Sequence, residues 1–253
     1  MGIVGDLNGR RVLVTGASSG IGAATSRSIV ARGGSVAMLA RRKERLDDLA
    51  EELGAQAVPV PADVTDLEGL EGRIEEAARR LGGLDGVVTA AGQMMTGEMA
   101  SGTPQRWREL IDLNLVGPLA TIRYALAHFP EAGRRDVVLV GSTGAVTPMP
   151  GVGVYAASKR GLEAAFDSLR LELAPAGVNV SLVMPGMFDT EGLTLEGIII
   201  DGDVSASDIP YFVPGGVPAP PTPLGDCIAY IMGLPEGICV HEIVIRPTGQ
   251  LNP

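Results

Sequence analysis

Residues 11–22 read RVLVTGASSGIG, and the fold of the chain follows from this stretch. Its first five residues form an apolar, β-branched run, which is typical of a buried strand in a parallel sheet. The glycine-rich turn leads directly into a predicted helix over residues 20–32. Gly16, Gly20 and Gly22 let the backbone approach a pyrophosphate, and the helix N-terminus offers unpaired N–H groups to that anion. The alternative is that these glycines only allow tight packing of helix against strand.

Short apolar runs alternate with longer helical patterns along most of the chain. Apolar runs between helices predict parallel strands that are covered on both faces. The predicted strands are residues 11–15, 35–40, 56–60, 84–89, 136–140, 179–183 and 242–245, and the predicted helices are residues 20–32, 43–53, 66–81, 105–129, 155–174 and 225–232. Right-handed crossovers then give an α/β fold, a single domain with a doubly wound, Rossmann-like parallel sheet of about seven strands and helices on both faces.

The alternating pattern stops after Pro185. Residues 198–200 are three isoleucines, and six prolines lie between Pro210 and Pro223. Proline is excluded from regular helix interiors, and so long a weakly structured segment is typical of a lid or a disordered linker. Because the segment lies between two strands of the same sheet, residues 187–224 are predicted to be a substrate-binding lid.

Composition excludes several classes of function. The net charge of −10 argues against a nucleic-acid partner, since phosphates require a basic face. No apolar run reaches membrane-spanning length, and the N-terminus lacks a signal-peptide pattern. The two cysteines, Cys227 and Cys239, form no disulfide framework. A cytoplasmic protein without a membrane partner is therefore expected. His128 and His241 are the only histidines, and no ligand cluster accompanies them, so no metal site is predicted.

Residues 171–245 contain ten acids and no lysine or arginine. One explanation is solubility, since an acidic surface keeps a protein dispersed. The other is that the segment shapes a site for a neutral or cationic substrate.

The end of the second predicted strand indicates which dinucleotide binds. NAD-binding folds usually place an acid there for the ribose 2′-hydroxyl, whereas NADP binders place an arginine nearby. This sequence has Arg41 and Arg42 and no acid at that point. Solvated loop charges are the alternative, but cations just before a helix N-terminus oppose its dipole, which favours a functional role and NADP(H). Asp63, after the third strand, is a candidate for the adenine amino group or else a helix N-cap.

Tyr155 and Lys159 are four residues apart on a predicted helix and therefore share one face. A free tyrosine titrates near pH 10, and a neighbouring ammonium favours the phenolate. Such a phenol can donate a proton to a carbonyl oxygen or take one from an alcohol. Ser142, at the end of the fifth predicted strand, could hydrogen-bond the same oxygen. The alternative is a surface Tyr–Lys pair that arose by chance.

The order of these motifs resembles that of the classical short-chain dehydrogenases/reductases. The resemblance covers nearly the whole chain except the lid, and it is carried by residues 15–22, Asp63, residues 91–92, Asn114, Ser142, Tyr155-x-x-x-Lys159 and residues 185–190. It implies a Rossmann fold, a homotetramer or dimer, and a catalytic tetrad of Asn114, Ser142, Tyr155 and Lys159. It also implies that Asn114 lies at a local helix distortion, that Thr190 binds the nicotinamide carboxamide and that Arg41 binds the 2′-phosphate.

The motifs and the resemblance together predict the cofactor contacts. These are Gly16, Ser18, Ser19, Gly20, Ile21, Gly22, Arg41, Arg42, Asp63, Val64, Ala91, Gly92, Tyr155, Lys159, Pro185, Gly186 and Thr190. Two features depart from the family pattern. Residues 89–92 read TAAG where the family usually has NNAG, and Ser18 and Ser19 offer no basic side chain in the glycine-rich loop. The preference for NADP(H) therefore depends on Arg41 and Arg42.

The sequence thus predicts an NADP(H)-dependent oxidoreductase that acts on a carbonyl or secondary alcohol of a small molecule, a ketoreductase or alcohol dehydrogenase. One alternative is a sensor that binds NADP without turnover, although the intact tetrad argues against it. A nucleotide-sugar epimerase or dehydratase is a further alternative, but those relatives are usually longer at the C-terminus.

Overall fold

A computed structural model of the protein describes residues 5–146, 150–193, 198–201 and 219–250. The strands in this part of the chain are β1 (Arg11–Thr15), β2 (Ser35–Ala40), β3 (Ala57–Pro61), β4 (Gly86–Thr89), β5 (Met95–Thr96), β6 (Arg135–Val140), β7 (Val178–Pro185), β8 (Ile199–Ile200) and β9 (Glu242–Ile245). Seven of them form one sheet in the order β3-β2-β1-β4-β6-β7-β9, and every pairing in it is parallel. The predicted doubly wound sheet is confirmed.

The strand order reverses between β1 and β4, which pair directly with each other from Val12 opposite Gly86 to Thr15 opposite Thr89. Chain segments that follow β1 and those that follow β4 therefore diverge at this point. In an open parallel sheet, ligands bind in the crevice that this divergence opens at the carboxyl ends of the strands.

Helices cover both faces of the sheet. They are α1 (Gly20–Ala31), α2 (Lys43–Leu53), α3 (Leu67–Leu81), α4 (Pro104–Ile111), α5 (Gly117–Leu126), α6 (Gly153–Leu173) and α7 (Thr222–Met232). Buried residues of α1, α2 and α7 form one hydrophobic core with the sheet, while α3, α5 and α6 form the second core on the opposite face. Because each central strand is buried on both faces, its sequence is an apolar run without alternation. None of the helices in the described ranges is long and apolar enough to cross a membrane.

The helix predicted over residues 105–129 is in fact two helices joined by a π-helical turn, Asp112–Val116, between α4 and α5. Asn114 lies in this turn and is fully buried. Single π turns inside α-helices are frequent at functional sites. The helix distortion implied by the family resemblance at Asn114 is therefore present.

The predicted lid, residues 187–224, lies largely outside the described residues. Its described part is more ordered than the sequence suggested, because β8 pairs in parallel with β5 and Phe188 forms a bridge with Ala219. Its predicted end is also too late, since α7 already begins at Thr222. Pro223 is compatible with this start, because a helix tolerates proline in its first turn. A lid role for the segment stays a prediction.

The packing of α7 on α1 gives a prediction about stability. A Cβ added at Gly225 of α7 would lie 2.5 Å from the backbone carbon of Ala24 in α1, whereas one added at Gly72 of α3 would meet nothing within 4 Å. Gly225→Ala is therefore expected to destabilise the fold by about 1–3 kcal/mol through overpacking. The matched variant Gly72→Ala should stabilise it by about 0.5–1 kcal/mol through helix propensity. Thermal and urea denaturation would measure both, and equal effects of the two variants would contradict this account of the α1–α7 contact.

Candidate active site

Two adjoining cavities lie at the carboxyl ends of the sheet strands. The larger is a groove of about 480 Å³ bordered by the segments that follow β1, β2, β3 and β4. The smaller, of about 150 Å³, is bordered by the segments that follow β4, β6 and β7. They share Ile21, Gly92 and Thr190 among their walls, so a single elongated ligand could extend from one into the other.

The sequence-predicted site residues divide between these cavities. The groove is lined by Gly16, Ser18, Ser19, Gly20, Arg41, Arg42, Asp63, Val64 and Ala91. The smaller cavity is lined by Ser142, Tyr155, Lys159, Pro185 and Gly186. Two predicted residues, Gly22 and Asn114, belong to neither wall. Gly22 lies beneath the glycine-rich loop, where a Cβ would stand 2.4 Å from the carbonyl oxygen of Gly16.

The glycine-rich loop presents the N-terminus of α1 to the groove. Ser19 is the N-cap residue, but its hydroxyl does not bond to the helix N–H groups, and the first turn contains no acid. This hydroxyl instead accepts a hydrogen bond from Arg42, at 2.8 Å. A helix N-terminus without a side-chain cap or an acid in its first turn fits the pyrophosphate of a dinucleotide.

Arg41 and Arg42, which follow β2, have different surroundings. Arg42 is tied to the glycine-rich loop, because its guanidinium also donates to Ser18 Oγ at 3.0 Å. The Arg41 side chain is 71% exposed, and its nearest carboxylate is that of Asp63, at 3.9 Å. Both arginines line the groove where the ribose of the adenosine half would lie. Their position and charge suit a 2′-phosphate.

Glu191 lies in the same wall of the groove and was missed by the sequence analysis. Its carboxylate pairs with Arg42, at 2.7 Å, and with Arg45 of α2. Burial alone would raise the pKa of Glu191, but hydrogen bonds from Arg42, Arg45 and Ser19 outweigh it and lower this pKa to about 2. The only available signal was its position directly after Thr190, which the family resemblance had already placed at the cofactor.

Asp63 does not cap a helix. The N-cap of α3 is Asp66, whose side chain accepts from the backbone N–H of Gly69. Asp63 Oδ1 instead accepts hydrogen bonds from the backbone N–H and the hydroxyl of Thr65. The helix-cap alternative for Asp63 is therefore wrong, and its carboxylate borders the groove next to Val64.

Tyr155, near the start of α6, lines the smaller cavity together with Ser142, and a Cβ at Gly144 would lie 3.2 Å from the Tyr155 ring and 3.3 Å from Ser142 Oγ. Burial raises the pKa of the Tyr155 hydroxyl, and the Ser142 hydrogen bond only partly opposes this effect. The direction is opposite to the one expected from the sequence, where the neighbouring lysine was taken to favour the phenolate. The phenol is therefore in its protonated form at neutral pH.

Lys159 is buried one helical turn beyond Tyr155. Its amine donates to the carbonyl oxygen of Val140 at 3.0 Å, and burial lowers the pKa of Lys159 to about 8. No salt bridge to Lys159 is present within the described ranges. The ammonium is therefore a buried charge held by a backbone dipole.

Asn114 joins the loop after β4 to α6. Its side-chain amide pairs with both backbone groups of Gln93, each at 2.9 Å, and donates to Ser158 Oγ at 3.1 Å. Ser158 in turn donates to the carbonyl oxygen of Tyr155. A Cβ at Gly92 would lie 3.1 Å from Asn114 Oδ1 and 3.4 Å from Lys159 Nζ. The Asn114 amide and the Lys159 amine are therefore both next to Gly92.

Two further features complete the walls. Gln250, which the sequence analysis did not single out, accepts a hydrogen bond from the backbone N–H of Met187 at 2.8 Å and lines the smaller cavity. Thr190 packs against the glycine-rich loop, 3.2 Å from where a Cβ of Gly20 would stand.

The altered motif at residues 89–92 is held by Thr15, whose hydroxyl accepts a hydrogen bond from the backbone N–H of Ala91.

Several acids of residues 171–245 form ion pairs or hydrogen bonds with other residues of the chain. Glu191 pairs with arginines, Asp201 accepts from the Trp107 indole and the Thr103 backbone, and Asp226 accepts from Ser28. No acid is among the described residues that line the smaller cavity. The described chain also contains no group of three His, Cys, Asp or Glu residues that could hold a metal ion.

The buried ammonium gives a prediction about pH-dependent stability. Because the folded-state pKa of Lys159 lies below its ordinary value, folding disfavours the charged form of the side chain. The resulting loss of folding stability is fully present below pH 8 and is relieved as the pH rises towards 10.5. Lys159→Met should therefore stabilise the fold at pH 7 by about 1–3 kcal/mol. The difference from the wild type should shrink when denaturation is measured at higher pH. A destabilised variant with a pH-independent difference would contradict this.

Comparison with known proteins is consistent with this geometry. The family model described as short chain dehydrogenase matches residues 10–196. The glycine betaine reductase ATRR of Emericella nidulans is 36% identical over 250 residues, which are 97% of this chain but only 19% of that protein. The chain thus corresponds to a small part of that relative.

Solved structures match over nearly the full length. A dehydrogenase/reductase from Sinorhizobium meliloti is 29% identical with a TM-score of 0.84, and the match covers 99% of this chain and 98% of that one. A short chain dehydrogenase from Burkholderia cenocepacia, solved in complex with NADP, is 27% identical with a TM-score of 0.81 over 95% and 97% of the two chains. The chain therefore belongs to the short-chain dehydrogenase/reductase family, and it is an oxidoreductase of that nicotinamide-dependent type.

Proposed function

We propose that the protein transfers hydride between NADP(H) and a carbonyl or secondary alcohol carbon of a small molecule. The observation that carries this proposal is the grouping of Ser142, Tyr155 and Lys159 around one small cavity that opens into the groove beside the glycine-rich loop. A proton donor and a hydrogen-bonding hydroxyl there suit an oxygen that gains or loses a proton as hydride is transferred.

The groove has the features that an NADP(H) molecule requires. The N-terminus of α1 would take the pyrophosphate, and Arg41 and Arg42 would take the 2′-phosphate. Asp63 and Val64 border the adenine end, whereas Thr190 stands where the groove meets the smaller cavity. When bound, the cofactor supplies or accepts the hydride. The NADP complex of the Burkholderia cenocepacia relative supports this choice of dinucleotide.

Tyr155 is the proposed acid and base. Its raised pKa keeps the phenol protonated at neutral pH, which suits donation to a carbonyl oxygen in the reductive direction. Ser142, which lines the same cavity, orients the same substrate oxygen. Both side chains come from elements that are fixed by the sheet, so the reacting oxygen has one defined position between them.

Lys159 and Asn114 support this pair. Lys159 would hold a ribose hydroxyl beside Tyr155 and stabilise negative charge that develops on the phenol oxygen. Asn114 fixes the start of α6 relative to the loop after β4 through its bonds to Gln93 and Ser158. In this arrangement Asn114 keeps Tyr155 and Lys159 in a fixed position relative to the groove.

The walls of the smaller cavity favour a small, uncharged substrate. They are largely apolar and include Met94, Val140, Met187 and Phe188. Tyr155 and Lys159 are the only ionisable groups among the described residues that line it. Burying an unpaired substrate charge there would be costly, so uncharged ketones and aldehydes are the substrates to screen first.

The homotetramer or dimer, the cytoplasmic location and the role of residues 187–224 as a lid all stay predictions.

Loss of the phenol separates an enzyme from a sensor. Tyr155→Phe should lower NADPH oxidation with a panel of ketones and aldehydes by about 10²–10⁴-fold, because the proton donor is removed. Nicotinamide fluorescence should show unchanged NADPH binding. Tyr230→Phe, at an exposed position on α7 away from both cavities, is the matched control and should keep full activity. An active Tyr155→Phe enzyme, or a wild type without any turnover on the panel, would count against the proposal.

Loss of the groove arginines tests the choice of cofactor. Arg42→Ala should weaken NADPH binding by about 10–100-fold, since charge-assisted hydrogen bonds to a phosphate are lost, and should change NADH binding little. Arg41→Ala should have a smaller effect in the same direction because its side chain is more exposed. Arg27→Ala removes an equal charge from α1, where Arg27 pairs with Glu52, and should change neither affinity. A preference for NADPH that survives both groove substitutions would refute the assignment.

A further inference from the structure

An internal carboxylate already occupies the cationic end of the groove. Glu191 contacts Arg42, Arg45 and Ser19, and the first of these also holds Ser18. Ser19, Arg42 and Glu191 line the groove near the end of β2, where the 2′-position of the adenosine ribose would lie. One anion therefore stands where the proposed cofactor would bring another.

We infer that Glu191 is a specificity-determining residue that competes with the 2′-phosphate of NADP(H) for Arg42 and Ser19. This inference rests on the proposed use of NADP(H). The incoming phosphate carries about −1.5 to −2 charges and three strong acceptor oxygens, against one charge and two oxygens for the carboxylate. It can therefore replace the contacts of Glu191 to the groove residues Arg42 and Ser19.

Protonation does not neutralise the Glu191 carboxylate near neutral pH. Because the pKa of Glu191 is lowered to about 2, the side chain stays ionised throughout the neutral range. The phosphate must then displace a charged group, and each displaced ion pair is partly exposed, since the three side chains are 40–48% exposed. Exposed pairs of this kind are individually weak, so the competition lowers affinity for the 2′-phosphate without abolishing it.

Displacement of Glu191 also affects the chain around it. Glu191 is the first residue of the 3-10 turn Glu191–Leu193, and it directly follows Thr190, which lines both cavities. A phosphate that takes over Arg42 repels the carboxylate and moves this turn away from α2. The 2′-phosphate end of the groove is thereby coupled to the wall of the smaller cavity.

The test removes the charge of Glu191 and keeps its shape. Glu191→Gln should tighten binding of adenosine 2′,5′-bisphosphate, measured by titration calorimetry, by about three- to tenfold. Binding of 5′-AMP, which lacks the 2′-phosphate, should stay within about twofold of the wild type. NADPH should tighten like the bisphosphate, and NADH should behave like 5′-AMP.

The matched control is Glu44→Gln. Glu44 lies on α2 between the same two arginines and loses the same charge, but it makes no ion pair with either of them. It should tighten binding of the bisphosphate less than Glu191→Gln does. Equal tightening by both variants would reduce the effect to net charge and would overturn the inference.

Hydrogen exchange supplies a second measurement that does not depend on activity. In the wild type, the peptide containing residues 191–193 should exchange faster with adenosine 2′,5′-bisphosphate bound than with 5′-AMP bound. In Glu191→Gln it should exchange fast already without ligand. Identical exchange in all these states would overturn the proposed displacement.

The remaining outcomes separate the two proposals. A wild type that binds NADPH more tightly than NADH, combined with no gain in Glu191→Gln, overturns the role of Glu191 and leaves the cofactor assignment standing. If Glu191→Gln instead weakens NADH and leaves NADPH unchanged, Glu191 binds a ribose hydroxyl and the inference is wrong. A wild type that prefers NADH, with both groove arginines irrelevant to affinity, refutes the proposed cofactor itself.

Discussion

The polar groups of the site lie together because all seven strands of the central sheet run in one direction. The carboxyl ends of parallel strands meet at one edge, so residues as distant in sequence as Gly16, Asp63 and Ser142 border neighbouring cavities. The reversal of strand order between β1 and β4 opens the crevice between them. A single antiparallel strand in this sheet would send its following segment to the opposite edge and remove one wall of the site.

The same constraint explains how much of the fold the sequence predicted. Each strand of the central sheet was located to within about two residues. For the strands in the middle of the sheet the reason is burial on both faces, which requires almost only apolar residues. β5 and β8 were not predicted, because two residues are too few to show a periodic pattern. The π-helical turn was predicted only through the family resemblance. Its cause is tertiary, since Asn114 bonds to Gln93 and Ser158.

The site was predictable where a motif carries its own geometry and not where partners come from distant segments. Tyr155 and Lys159 share a helix face, and that spacing is visible in the sequence. The pKa direction of Tyr155 is not visible there, because proximity to an ammonium can be read from spacing but burial cannot. Glu191 and Arg42 are likewise far apart in the chain, and only the fold shows that the acid of the predicted lid neutralises the arginine of the predicted phosphate site.

Local donors, rather than the overall field of the protein, must account for binding of an anionic dinucleotide. The chain has a net charge of −10, and the ten acids of residues 171–245 lie in the half that supplies Thr190 and Gln250 to the cavities. At physiological salt, exposed charges more than about 8 Å away are largely screened, so this negative field weakens quickly with distance. Close to the ligand, the helix N-terminus, Arg42 and the buried ammonium of Lys159 act across short, partly desolvated distances. A buried ammonium without a carboxylate partner costs stability, yet a partner carboxylate at Lys159 would cancel the positive potential that the site needs beside Tyr155.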